Sequence, residues 1–198
     1  MIAKPALREP TGTRRHPRHD SKRYATLHAG ETIRTALVDC PFGRLLVGAT
    51  ASGVCFLGFA EPDEALLGDL RRRFPQALIV PGDAALAEWI DAILAFLREP
   101  KHALDLPLDL RGTAFQLRVW QALLRIPLGE TRSYAELARM IEAPKAVRAV
   151  ARSCAANPVS LAVPCHRVVG SSGELTGYRW GVPRKQALLD RERAAKER

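Results

Sequence analysis

The stretch Ser133-Tyr134-Ala135-Glu136-Leu137-Ala138-Arg139-Met140-Ile141, followed by Pro144-Lys145-Ala146-Val147-Arg148-Ala149-Val150-Ala151-Arg152-Ser153-Cys154, reads as two short helices joined by a tight link. Ser133 and Glu136 form a capping box, in which each side chain satisfies a backbone N–H that the first helical turn leaves unpaired. Leu137, Met140 and Ile141 supply the apolar face of the first helix. Pro144, with its fixed φ and missing N–H, suits the first position of a second helix running to about Ala156. Along that helix Val147, Val150, Ala151 and Cys154 fall at i, i+3, i+4 and i+7, the spacing of one buried stripe, which makes Cys154 a packing residue. Arg148 and Arg152 project together elsewhere. The pattern is a helix-turn-helix. Basic groups on its second helix stand where a nucleic-acid reader carries them, although two arginines on a surface helix also serve solubility alone.

Upstream, Thr113-Ala114-Phe115-Gln116 is another capping box, opening an amphipathic helix through Val119, Trp120, Leu123 and Leu124 that ends before Pro127 and Gly129. Residues 100–111 alternate apolar and charged positions around Pro107 and suit an extended connector, so the boundary between an N-terminal domain (24–110) and a C-terminal domain (111–198) is placed there. The N-terminal domain begins with three β-rich runs, Thr32 to Val38, Arg44 to Thr50 and Gly53 to Phe59, separated by turn residues and expected to form a small antiparallel sheet. Helices are expected over Pro62 to Phe74 and Ala84 to Leu97, the second carrying Leu86, Ile90, Ile93, Leu94 and Leu97 at helical spacing. Residues 1–23 lack periodicity and read as a disordered basic tail; His16 and His19 have no Cys or carboxylate cluster beside them, so no metal site is assigned.

The 198 residues, 47% of them apolar, suffice for one substantial core or two small ones. No apolar run approaches the roughly 20 residues that cross a bilayer, and the N-terminus is basic instead of carrying an apolar signal region, so no membrane association is expected. Four sparse cysteines without a C-x-x-C pair suit a reducing compartment, and any cysteine function falls to a single thiol. Charge is uneven. Residues 24–110 hold seven basic and twelve acidic side chains, whereas residues 111–198 hold sixteen basic and seven acidic ones. A polyanion such as nucleic acid is the expected partner of the C-terminal half.

The segment Leu161-Ala162-Val163-Pro164-Cys165-His166-Arg167-Val168-Val169-Gly170 sets a Cys-His pair in an apolar stretch. His166 and Arg167 beside Cys165 are expected to favour thiolate, because nearby positive charge lowers a thiol pKa and the thiolate is the nucleophile. His166 as a satisfied structural histidine is the other reading.

Pro164-Cys165-His166-Arg167-Val168 closely resembles the active-site motif of the O6-alkylguanine-DNA alkyltransferases. The helix-turn-helix from Ser133, the stretch Lys145 to Val150 and the segment Gly177-Tyr178-Arg179-Trp180-Gly181-Val182 are similar to the bacterial Ada type of that family, continuously from about Thr32. The resemblance implies an α/β protein of the α+β kind: a ribonuclease H-like N-terminal domain, then a helical, winged-helix-like domain. It also implies a single-use DNA repair enzyme in which Cys165 permanently accepts the alkyl group of O6-methylguanine, with O4-methylthymine as a further candidate lesion and no cofactor or metal. The cysteine-rich half of full-length Ada proteins has no counterpart, so neither its metal site nor gene activation is carried over.

By the same resemblance His166 draws the thiol proton through a water, Glu192 holds His166, Tyr134 assists the departing oxygen, and Asn157 braces the active-site turn. Arg148 fills the gap left when the nucleotide turns out of the duplex, with Tyr134, Ala149, Arg152 and Ser171 also at the minor groove. Val168, Tyr178, Arg179, Trp180 and Cys154 surround the base. Arg179 and Trp180 are larger than their counterparts in some relatives, which implies a tight pocket that prefers methyl to benzyl-sized groups. The expected partner is double-stranded DNA bound by a monomer in the bacterial cytoplasm, at the nucleoid. Two other readings compete: a non-catalytic damage binder, against which Cys165 argues, and a thiol hydrolase, for which no second histidine follows His166.

Overall fold

β1 (Thr32–Cys40), β2 (Gly43–Thr50) and β3 (Gly53–Phe59) form a meander whose strands are separated by the two-residue turns Pro41-Phe42 and Ala51-Ser52. The computed structural model describes residues 30–197, so the basic tail read at 1–23 lies outside the described residues. β1 pairs antiparallel with β2, and β2 with β3, with a bulge at Gly48/Ala49. The expected antiparallel sheet nevertheless gains a fourth strand. β4 (Leu78–Pro81) runs parallel to β1, giving the order β3-β2-β1-β4. Four residues are too few to show an alternation in sequence, and proline is tolerated there because β4 is an edge.

Helix α1 (Asp63–Arg73) makes the crossover from β3 to β4, and α2 (Ala84–Arg98) follows, its N-terminus capped by Asp83, which accepts from Leu86 N. Leu86, Ile90, Ile93, Phe96 and Leu97 are the buried face of α2; Leu94 is only half-buried. The outer edge of β3 does not meet water. Val54 N donates to Pro107 O at 2.8 Å and Asp109 N to Val54 O at 3.0 Å, while Leu57 N donates to Pro158 O at 2.9 Å and Ser160 N to Leu57 O at 3.0 Å. The connector and the chain leading to Cys165 thus cover an edge that would otherwise invite intermolecular pairing. Gly53 permits the approach of the connector: at φ 144° it has no side chain, and a Cβ there would lie 2.4 Å from Pro107 O.

The C-terminal half is helical. α3 (Ala114–Leu123) carries the Thr113/Gln116 capping box, and α4 (Tyr134–Met140) carries the Ser133/Glu136 box, both with reciprocal hydrogen bonds. The second helix of the helix-turn-helix begins as a 3₁₀ turn, Pro144–Ala146, and becomes α-helical only as α5 (Val147–Ala155). Trp120 is fully buried and its indole N–H donates to Ser153 O at 2.9 Å, tying α3 to α5. β5 (Arg132–Ser133) and β6 (Val168–Val169) pair in parallel, bringing the start of α4 beside the residues after Cys165.

The last helix, α6 (Val182–Lys196), buries Lys185, Leu188, Leu189 and Glu192. This is an i, i+3, i+4, i+7 stripe whose two ends are charged, so apolar periodicity alone does not reveal which face is inside. Buried apolar residues from both halves form one cluster, from Ile33 to Leu188. Among the described residues no helix is long and apolar enough to cross a membrane.

Candidate active site

The chain between α5 and β6 crosses the edge of β3 and returns, so that Asn157 and Cys165 meet. Asn157 is 1% exposed. Its Oδ1 accepts from Val159 N at 3.0 Å, and its Nδ2 donates to Val163 O at 2.8 Å and to Cys165 Sγ at 3.3 Å. One amide thereby closes the loop and touches the sulfur. Leu161, buried within it, takes a left-handed conformation at φ 68°, which costs a non-glycine residue about 1–2 kcal/mol. Backbone bonds from Ala162 N to Ser160 O (2.8 Å) and from Val163 N to Val159 O (3.0 Å) hold the segment around it.

Cys165 begins a 3₁₀ turn (Cys165–Arg167) that directs His166 and Arg167 toward α6. His166 Nε2 lies 2.8 Å from Glu192 Oε1. Arg167 clasps the same carboxylate with both arms, Nε to Oε2 and Nη2 to Oε1, each at 2.9 Å, while its Nη1 donates to Ile126 O at 2.7 Å. Gly129 N also donates to Glu192 Oε2, at 3.2 Å. Three charged or titratable side chains are therefore buried together and mutually satisfied, except that His166 Nδ1 has no hydrogen-bond partner.

Burial raises the Cys165 thiol above its ordinary value, with the Asn157 amide and the Lys185 ammonium working in the opposite direction. The expectation that His166 and Arg167 favour a resting thiolate is therefore corrected. Burial lowers His166, against the pull of Glu192, so the ring is neutral at pH 7. Arg167 spends its charge on Glu192. Burial opposes ionisation of Glu192, but His166 and Arg167 outweigh it and hold the carboxyl down to about 2. The resting state is thus a thiol, a neutral imidazole and a carboxylate.

Lys185, which sequence reasoning missed, is fully buried and donates to Val168 O at 2.5 Å and Thr176 O at 3.1 Å. Its position seven residues before Glu192 on one helical face was the available signal. It braces two strands of chain beside the sulfur.

Cys165 faces a cleft of about 450 Å³ shared with Tyr134, Cys154, Tyr178 and Arg179. Cys154 is both packed, at 6% exposure, and part of that wall, and burial raises its thiol pKa further than the ordinary range. Ala151 also lines the cleft, which is why it is only half-buried on the stripe. Burial likewise raises the hydroxyls of Tyr134 and Tyr178. Val168 is buried behind the cleft, with its carbonyl engaged by Lys185. Trp180 does not line this cleft: it lies against Phe56, with ring centroids 6.4 Å apart, and borders a neighbouring cleft instead. Arg148 and Arg152 are exposed on α5, Ala149 is half-buried between them, and Ser171 is exposed in the turn after Gly170. No group of three or more metal-ligating side chains occurs among the described residues.

The domain family described as "6-O-methylguanine DNA methyltransferase, DNA binding domain" matches residues 114–194. The chain is 49% identical over 173 residues to the bifunctional transcriptional activator/DNA repair enzyme Ada of Escherichia coli, covering 86% of this chain and 49% of that protein. It thus spans about half the length of the Ada relatives it matches. It is 43% identical over 150 residues to the inducible methylated-DNA–protein-cysteine methyltransferase of Bacillus subtilis, covering 75% of this chain and 84% of that protein. The crystal structure of Mycobacterium tuberculosis O6-methylguanine methyltransferase superposes with a TM-score of 0.69 at 40% identity, over 83% of this chain and 94% of that one. The structure of the same organism's OGT in complex with DNA gives 0.66 at 40% identity, with the same coverage. Likeness that extends over most of the Bacillus and Mycobacterium proteins, in sequence and in fold, places the chain in the methylated-DNA–protein-cysteine methyltransferase family.

Proposed function

We propose that the chain repairs duplex DNA by moving the methyl group of O6-methylguanine onto Cys165, once per molecule. The observation that carries this reading is Cys165 Sγ in a cleft wall, braced by Asn157 and adjoining the buried His166–Glu192–Arg167 cluster. Neutral His166 takes the thiol proton, through a bridging water because consecutive residues do not face one another. The sulfur attacks the methyl carbon, the carbon–oxygen bond breaks, and the electron pair stays on guanine as Tyr134 supplies a proton toward the leaving base. A thioether does not reverse under these conditions, so the protein is consumed.

A thiol only 7% exposed cannot reach a base inside a stack, so the nucleotide turns out into the cleft. Arg148, exposed on the second helix of the helix-turn-helix, occupies the place the base leaves, with Arg152 and Ser171 on backbone phosphates. Tyr178, Arg179 and Cys154 enclose the base. The chain acts as a monomer on the DNA of the nucleoid, and no cofactor takes part.

Intact mass measurement after mixing with duplex containing O6-methylguanine, followed by peptide mapping, tests the proposal. One methyl gained on the peptide containing Cys165 is expected, abolished in Cys165→Ala with DNA binding retained. An unmodified sulfur after the lesion is corrected, or one chain correcting many lesions, sinks it.

A further inference from the structure

Asp69 sits on α1, in the N-terminal half, and the transfer chemistry makes no use of it. Its side chain is 8% exposed, a costly position for a carboxylate unless it is paired. Three guanidinium groups converge there: Arg179 Nη2 at 2.5 Å, Arg73 Nε at 3.3 Å and Arg72 Nη2 at 3.4 Å. Of the three, only Arg179 belongs to the cleft of Cys165, and it also borders the outer cleft alongside Asp69.

Arg179 lies outside any helix or strand, between Gly177 at φ 34° and Gly181 at φ 93°. Such backbone does little to aim a long side chain. Its direction comes from outside: Asp69 grips the guanidinium, which also lies over the ring of Trp180 at 5.1 Å. Trp180 is itself immobilised. Its indole N–H donates to the Ser160 hydroxyl, and its ring presses on Gly58, where a Cβ would come within 2.6 Å of it.

We infer that Asp69 is a specificity-determining positioning residue, which holds Arg179 against Trp180 as a fixed wall of the cleft and so restricts the alkyl group that Cys165 accepts to small ones. The inference rests on the alkyl transfer proposed above. A carboxylate on the first helix thereby sets the size of a pocket built by the C-terminal half, and no lining residue need change for the pocket to open. A second arm of Asp69 leads elsewhere, through Arg73, whose Nη1 donates to Ala156 O at 3.0 Å next to Asn157. That arm steadies the end of α5 and has no part in the wall.

Single-turnover rates on duplexes carrying O6-methylguanine or O6-benzylguanine test the inference through the benzyl-to-methyl ratio, which a general loss of folding or of thiol activation does not move. Asp69→Asn is expected to raise the ratio roughly tenfold, the order of effect of one pocket contact. Arg179→Met keeps the length of the side chain but cannot be gripped, and the same rise is expected whether or not Asp69→Asn folds. The double variant should add no more than about twofold, because both changes release one contact. Arg73→Ala should leave the ratio at the wild-type value. A wild-type ratio in Arg179→Met, or an equal rise in Arg73→Ala, overturns the inference while methyl transfer to Cys165 stands. A wild-type chain that leaves Cys165 unmodified overturns the transfer reading and this inference with it.

Discussion

Glu192 Oε1 lies 2.8 Å from His166 Nε2 while the same carboxylate is clasped by both arms of Arg167. The histidine is thereby held in one orientation by a group that cannot itself turn, with its buried Nδ1 left without a hydrogen-bond partner. The arrangement couples chemistry to stability, because each member of the cluster is buried and depends on the others.

Glu192→Gln keeps the shape but removes the charge that Arg167 needs. Transfer of the methyl group should slow by about a hundredfold, the scale of a misplaced general base, as read by single-turnover kinetics. Stability should fall by about 3 kcal/mol in urea unfolding, since Arg167 is left buried without its partner charge.

Stability should decline with acid in two stages. The folded value of His166 is below its ordinary 6.5, so the unfolded chain binds the proton more readily, and stability is lost as pH falls below about 6.5. The folded value of Glu192 is held down to about 2 from 4.5, so its contribution is present above about 4.5 and is lost as pH falls toward 2. Urea midpoints from pH 8 to pH 3 check both stages, and His166→Gln should abolish the first and shrink the second, because one of the two groups that hold Glu192 down is gone.

A thiol raised by burial should be slow to alkylate with a generic reagent. At neutral pH iodoacetamide should label Cys165 more slowly than a free cysteine, with the rate still climbing at a pH where that of a free cysteine has levelled off. Rapid labelling at pH 7, followed by peptide mapping, would show a resting thiolate and contradict the electrostatics of the site.

Asn157→Ala removes the contact to the sulfur, strands Val159 N in a buried turn and leaves Val163 O with only its bond from Cys165 N. A stability loss of about 2–3 kcal/mol is expected from denaturant melts. The thiol pKa should rise as well, seen as a shift of the iodoacetamide profile to higher pH.

Arg148→Ala should slow repair in duplex DNA at least tenfold while changing reaction with free O6-methylguanine less than twofold, since only the duplex reaction requires extrusion of the base. Equal losses on both substrates would remove the role given to Arg148.

Both capping boxes and the paired helices were legible in sequence because they rest on hydrogen bonds three residues apart. The three long strands were legible from their β-rich runs and the turn residues between them, whereas β4 was not, since its pairing with β1 depends on the crossover through α1 and not on anything within Leu78–Pro81. Lys185 and Glu192 hid the inner face of α6 by being charged at positions a core normally fills with apolar groups.

The sequence by itself determined the local elements, the candidate nucleophile and the basic character of the half that carries it, because propensity, capping and composition act over a few residues. Only the tertiary structure decided the protonation state of Cys165, since adjacency in the chain put His166 and Arg167 beside the sulfur while packing turned both toward Glu192. It alone joined Asp69 to Arg179 across 110 positions of chain. Burial and charge pairing are properties of neighbours in space, and the strength of each depends on how completely the surrounding core excludes water.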